Sequence, residues 1–243
     1  MRLKVTNIEV LRRTAGEMGI GLSEENFKTF LKYKKMILEW NQRINLTTIT
    51  DNDEMDIKHF ADSLSPTLTG VFDGSKKIID IGTGAGFPGI PLKIWNPELQ
   101  VTLMDSLNKR ISFLNLVIAE LSLNGITAIH GRAEELALKH EYRETFDICI
   151  SRAVASLDTL SEYCIPFVKP GGWFIAMKGP SAMDEIKLAG KAISTLGGTV
   201  EDVIEVKFPG TDIEHTLVMI KKLTKTSSKY PRGGGKPRKS PIK

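Results

Sequence analysis

From Lys76 onward, short β-branched runs alternate with helical stretches: KKIIDI, VTLMD, ITAIH, FDICIS, GGWFIAMKG, DVIEVKF and HTLVMIKK. This rhythm limits the possible folds more than any other feature. A strand that is followed by a helix comes back beside itself in parallel, so the pattern predicts an α/β fold: a seven-stranded, mostly parallel sheet covered by helices on both faces. The last two runs are separated only by PGTDIE, too little for a crossover helix, so the last strand is expected to be antiparallel. A chain of 243 residues holds one such domain and something smaller.

The smaller part precedes the sheet. Ser23 is placed to cap a helix in which Phe27, Phe30, Leu31, Ile37, Leu38 and Ile44 recur at three- and four-residue steps. A second short helix is expected between Asp53 and Leu68, and Pro66 with the Gly70 to Lys77 stretch marks a linker. Lys32, Lys34 and Lys35 read as a solvated face. The expected organisation is a helical cap over 1–70, a sheet domain over 71–222 and a tail over 223–243.

The tail carries the charge asymmetry. Residues 221 to 243 hold nine Lys or Arg and no acid, whereas the rest of the chain holds 24 basic and 29 acidic residues. A basic arm on a mildly acidic body suits a polyanion, here RNA or DNA, better than a membrane surface, because no amphipathic apolar face accompanies it. Gly233-Gly234-Gly235 among Pro231, Pro237 and Pro241 predicts an arm that is flexible when free, and its loss is expected to weaken RNA binding without touching a small-molecule site. The opening residues carry no signal-peptide pattern and no segment approaches about 20 apolar residues, so a cytoplasmic protein with no membrane partner is expected. Cys149 and Cys164 read as buried small hydrophobes, with no disulfide framework and no metal site.

"DIGTGAGFPGIPLKI", residues 80–94, follows the first strand, where ligands of such sheets bind. Glycine there reaches positive φ and keeps Cβ away from a ligand lying on the backbone. A formal G-x-G-x-x-G at residues 84–89 would suit a dinucleotide, but Pro88 lacks an N–H and Asp80 stands nearby. Like charges at 4 Å cost about 4 kcal/mol at a protein surface. A sulfonium donor with no phosphate, S-adenosylmethionine, is attracted by Asp80 instead, with Gly82 and Gly84 in its turn. Asp105 closes the second strand, where a carboxylate accepts ribose hydroxyls. The frame resembles the first motif of class I (Rossmann-like) methyltransferases, and in that family the third strand end, here HGRAEEL with Ala133 and Glu134, contacts adenine.

Absences narrow the acceptor. The fourth strand ends at Ser151-Arg152-Ala153, with neither the thiolate of a carbon-5 pyrimidine methylase nor the Pro-Pro-aromatic signature of an amine methylase. Guanine N7 needs no deprotonation, only in-line placement, so no catalytic base is expected and Arg152 is the best positioning candidate.

The stretches NLTTI (45–49), KHFADSL (58–64), DIGTGAGFPGIPLKI (80–94), DSLNKRISFL (105–114), HGRAEEL (130–136) and SRAVASL (151–157) closely resemble the ribosomal RNA small-subunit methyltransferase G family, also called glucose-inhibited division protein B. The likeness spans nearly the whole chain, although the tail KYPRGGGKPRKSPIK inserts a glycine triplet into the family's pattern. The resemblance implies a cytoplasmic enzyme that methylates N7 of one guanine in 16S rRNA, with cofactor contacts at Gly82, Phe87, Ala133, Glu134 and Arg152. The expected partner is 16S rRNA or the small ribosomal subunit, and the expected state a monomer. Two other readings stay open: an RNA-binding assembly factor that keeps the pocket, and a dinucleotide-dependent oxidoreductase.

Overall fold

The computed structural model describes residues 7–152 and 154–243. Strands β1 (Lys77–Ile81), β2 (Gln100–Asp105), β3 (Ile126–His130), β4 (Phe146–Arg152), β5 (Val168–Lys178), β6 (Gly198–Lys207) and β7 (Glu214–Lys222) form one sheet in the order β3-β2-β1-β4-β5-β7-β6. The first five pair in parallel, and β7 runs antiparallel to both β5 and β6. Each strand-like run of the sequence is one of these strands, and the closing strand has the expected direction. Chain order reverses between β1 and β4, the switch point beside which such sheets hold ligands.

Helices cover both faces. In chain order they are α1 (Glu9–Glu17), α2 (Glu24–Asn41), α3 (Asn52–Met55), α4 (Asp62–Leu64), α5 (Gly89–Trp95), α6 (Asn108–Glu120), α7 (Ala133–Leu136), α8 (Leu157–Cys164), α9 (Ala182–Thr195) and α10 (Lys236–Lys239). A π-helical stretch, Asp56–Ala61, joins α3 to α4 in the region where one short helix is expected. Strand side chains alternate between faces. Ile78, Leu103 and Ile150 therefore pack with Phe30, Ile37 and Phe60 of the N-terminal helices, whereas Ile79, Cys149 and Phe174 pack with Leu160 and Ile193 of α8 and α9. The N-terminal helices thus share one core with the sheet.

Local chemistry explains α2. Ser23 Oγ accepts a hydrogen bond from the Asn26 N–H, and Asn26 Oδ1 accepts one from the Ser23 N–H, closing a capping box. The apolar stripe is buried as its spacing predicts. Lys34 departs from the expected solvated face: it is fully buried and its Nζ lies 2.7 Å from Asp56 Oδ1. Periodicity places Lys34 among the buried positions of α2, and a charge there demands a partner from another element.

The free arm expected over 223–243 is likewise corrected. Arg143 donates to the carbonyls of Thr226, Ser227 and Tyr230, and Arg232 makes a forked contact with Glu162 on α8, its Nη2 2.6 Å from Oε2. Glu162 is nearly fully buried, so this carboxylate needs the guanidinium. Tyr230 and Ile242 pack against the α8–α9 core, and the Thr159 hydroxyl donates to the Pro237 carbonyl at the start of α10. Both cysteines are free and buried.

Candidate active site

At the carboxyl edge of the sheet, a cavity flanks the β4 tip on each side. The first, about 410 Å³, is walled by the ends of β1 and β2 (Ile81, Gly82, Asp105), by Ala133 and Glu134 beyond β3, and by Arg238 of the C-terminal segment. The second, about 480 Å³, lies at the ends of β4 and β5 and the start of β7, with Arg152, Lys178 and His215 in its lining.

The turn after β1 explains the first cavity's shape. Gly82 has φ +73°, and a Cβ there would sit 2.5 Å from a methyl of Val154, so the glycine keeps this wall open. The backbone N–H groups of Gly82 and Thr83 donate to the Met104 carbonyl, and those of Gly86 and Phe87 to the Thr83 carbonyl. Gly84 N–H donates to Asp105 Oδ2 at 3.0 Å, and Gly89 N–H to Asp80 Oδ2 at 2.8 Å. With Pro88 lacking an N–H, these donors of the turn are spent inside the protein, unlike those of a loop that cradles a diphosphate.

Asp80 is not where the sequence reading puts it. Alternation along β1 sends its side chain to the α5 face, opposite Ile79 and Ile81, where it is fully buried and accepts from Thr83 Oγ1 at 2.6 Å. Burial pushes this carboxyl up to about 7, against the hydrogen bonds from Thr83 and Gly89. Asp80 therefore shapes the turn from behind and does not face the cavity.

The remaining predicted residues fall into two groups. Gly82, Asp105, Ala133 and Glu134 line the first cavity. Asp105 is nearly buried, and besides Gly84 N–H it accepts from Leu107 N–H at 2.9 Å and from Arg110 Nη1 at 3.0 Å. Gly84 lies outside the described lining, and a Cβ on it would meet nothing within 4 Å. Its role is the bond to Asp105.

Phe87 and Arg152 sit between the cavities. The Phe87 ring stacks on His59 with centroids 4.5 Å apart, and the Arg152 guanidinium carbon lies 4.9 Å from the Phe87 centroid. Arg152 donates to Asp62 Oδ2 at 2.7 Å and to the Lys58 carbonyl at 3.0 Å, and its Nη2 is 3.2 Å from His59 Nδ1. Asp62, nearly fully buried, is also 2.6 Å from His215 Nδ1. Burial opposes its ionisation, but the His215 hydrogen bond and the Arg152 charge hold the carboxyl below the ordinary range. Burial, aided by the Arg152 charge, pulls His59 down to about 3, so its ring is neutral. Arg152 thus lines the second cavity, not the first. Ala153 of the same triplet lies outside the described residues.

Sequence reasoning missed His59, Asp62 and His215 as a cluster. The first two lie in the KHFADSL stretch, but their convergence with β4 and β7 is a tertiary fact. Among the described residues, no group of three or more His, Cys, Asp or Glu is arranged to hold a metal ion, and no helix is long and apolar enough to cross a membrane.

Comparison with known proteins identifies this architecture. The family model described as rRNA small subunit methyltransferase G matches residues 26–214. A protein of Clostridium kluyveri, named ribosomal RNA small subunit methyltransferase G, is 49% identical over 97% of this chain and 98% of its own length. One of the same name from Clostridium botulinum (strain Loch Maree / Type A3) is 47% identical over 96% of this chain and 98% of its own. The crystal structure of M. jannaschii TYW2 in complex with AdoMet shares the fold, with a TM-score of 0.50 at 16% identity over 67% of this chain and 77% of that one. The chain belongs to the rRNA small subunit methyltransferase G family.

Proposed function

We propose that this protein transfers a methyl group from S-adenosylmethionine to N7 of one guanine in the 16S RNA of the small ribosomal subunit. The observation that carries the choice of donor is the internal use of the turn's N–H groups around Gly82, Gly84 and Gly89, which leaves a cavity suited to backbone approach but not to phosphate. The cavity walls also bear both signs, with Asp105 and Glu134 on the strand side and Arg132, Arg238 and Lys239 elsewhere. That suits a ligand carrying an ammonium, a sulfonium and a carboxylate. Ala133 and Glu134 would hold the adenine end, Asp105 the ribose, and Gly82 the approach to the methionine portion. When bound, the donor supplies an electrophilic methyl: the N7–carbon bond forms as the sulfur–carbon bond breaks, leaving a neutral thioether and a cationic purine, with no proton to move.

The chain's own residues then have one task, which is to align the acceptor. Cys149 is sealed inside β4, and burial pushes its thiol up, so it offers no thiolate nucleophile. Arg152 is held by Asp62 and Phe87 at the β4 tip and acts as a positioning residue there. The family supports action in the cytoplasm, where small subunits are assembled. Incubation with labelled donor and small-subunit RNA should place the label on a single 7-methylguanosine, found by strand scission at the modified base. Label on no nucleotide, or on a different atom, would overturn the proposal.

A further inference from the structure

The second cavity is the larger of the two and opens at the same sheet edge, with Arg152 the sole residue of its lining among the expected donor contacts. Its volume is in the range of small-ligand sites. Lys178, the last residue of β5, and Glu185 on α9 both line it, with Lys178 Nζ 2.6 Å from Glu185 Oε2. Their side chains are 8% and 21% exposed, so neither is a solvated surface pair. Lys178 also donates to the Ala155 carbonyl at 2.8 Å, and Glu185 also accepts from Leu157 N–H at 2.7 Å and Ser181 Oγ at 3.2 Å. That leaves the ammonium its third N–H and the carboxylate one further lone pair, a donor and an acceptor side by side.

Guanine presents the complement. Running from N7, its edge shows the O6 acceptor and then the N1–H and N2–H donors. Beside the β4 tip the cavity shows Lys178 at the end of β5, with Glu185 of α9 against it. Adenine in the same pose would set its N6 donor against the ammonium, two donors facing each other. An arginine fork across N7 and O6 would block the nucleophilic atom, so a lysine, which takes one acceptor at a time, suits this acceptor better. Asp62 is too deeply enclosed to read a base itself.

Resting on the reading of the chain as a guanine-N7 methyltransferase, we infer that the second cavity receives the acceptor as an everted guanine nucleotide, with Lys178 on O6, Glu185 on the N1–H edge and N7 turned toward the β4 tip. A base must leave its stack for this, as in other enzymes that work on a single base.

Gly179 supplies the test. It lines the cavity, a Cβ on it would meet nothing within 4 Å, and its backbone is not left-handed, so a large side chain fills the space without strain. Gly179→Trp should bind S-adenosylmethionine within about twofold of wild type in calorimetry, while kcat/KM for small-subunit RNA falls at least about 100-fold, some 2.7 kcal/mol of lost transition-state stabilisation. A second measurement uses the wild-type chain: small-subunit RNA carrying 6-thioguanosine at the modified position is irradiated, and the cross-linked peptide is sequenced. Attachment within 177–185 or 213–215 is expected. Wild-type kcat/KM in Gly179→Trp, or cross-links confined to other segments, would overturn the inference and leave the proposed function standing. If the wild-type chain transfers no methyl to RNA, the proposed function fails first and the inference with it. A Gly179→Trp protein that loses donor binding leaves the decision to the cross-link.

Discussion

At the scale of single residues, the two turn glycines do different work. Gly82→Ala forces a methyl toward Val154 at 2.5 Å in a left-handed backbone, so donor affinity should fall at least about tenfold by calorimetry. Gly84→Ala adds a methyl in open space, so its cost should be about 1 kcal/mol of folding stability with donor affinity nearly intact. The reverse ranking would show that the cavity wall is misassigned. His59 carries a pH signature. Its folded value of about 3 lies below the unfolded 6.5, so across that window the unfolded chain binds the extra proton. The neutral ring's contribution is complete above 6.5 and is lost as pH falls toward 3, with about 2 kcal/mol gone by pH 5. His59→Gln should remove this dependence in denaturant titrations. Asp80 acts in the opposite sense: held at about 7 against 3.8 unfolded, it makes the fold less stable as pH rises through that window. Asp80→Asn should therefore steepen the gain in stability with pH that His59 contributes.

At the scale of elements, the C-terminal segment is both a latch and a wall. Arg143 and Glu162 hold it down, and Gly235, Arg238 and Lys239 line the cavity proposed for the donor. Removing residues 228–243 should therefore lower donor affinity on the order of tenfold, against the expectation that only RNA binding would suffer. Glu162→Gln weakens the forked contact without removing the segment, and faster proteolysis within 228–243 is the expected readout. The Lys34–Asp56 pair ties α2 to the π-helical stretch that carries His59. Asp56→Ala should destabilise the fold by about 3–5 kcal/mol, because it strands a buried ammonium.

At the scale of the whole molecule, charge separates the two jobs. The body is net acidic and the terminal segment strongly basic, so RNA affinity should fall steeply with salt, and the slope should shrink when residues 228–243 are removed. An unchanged slope would exclude the segment from phosphate contact. The sheet and its topology were legible because each strand carries its own β-branched run and each connection its own length. The lining of the first cavity was legible in part, because glycine at Gly82 and carboxylates at Asp105 and Glu134 mark strand ends by position alone. Asp80 was misread because its neighbours on β1 decide which face it takes. The arm was misread because its anchors, Glu162 and Arg143, lie some 70 and 80 residues away in sequence. Of the second cavity only Arg152 at the β4 end was legible, since its other walls come from β5, β7, α9 and the stretch around Lys58 to Asp62 and converge only in three dimensions.

The π-helical stretch at Asp56–Ala61 has a last consequence. Such a stretch is an ordinary helix that has absorbed a surplus residue. The wide turn takes up that residue without rotating the helix beyond it, so excising one residue would restore regular winding with Asp62 still facing Arg152 but would shift His59 from its stack on Phe87. A single-codon deletion there should lower methyl transfer in a protein that still folds, because Lys58 and His59 of this stretch line the second cavity.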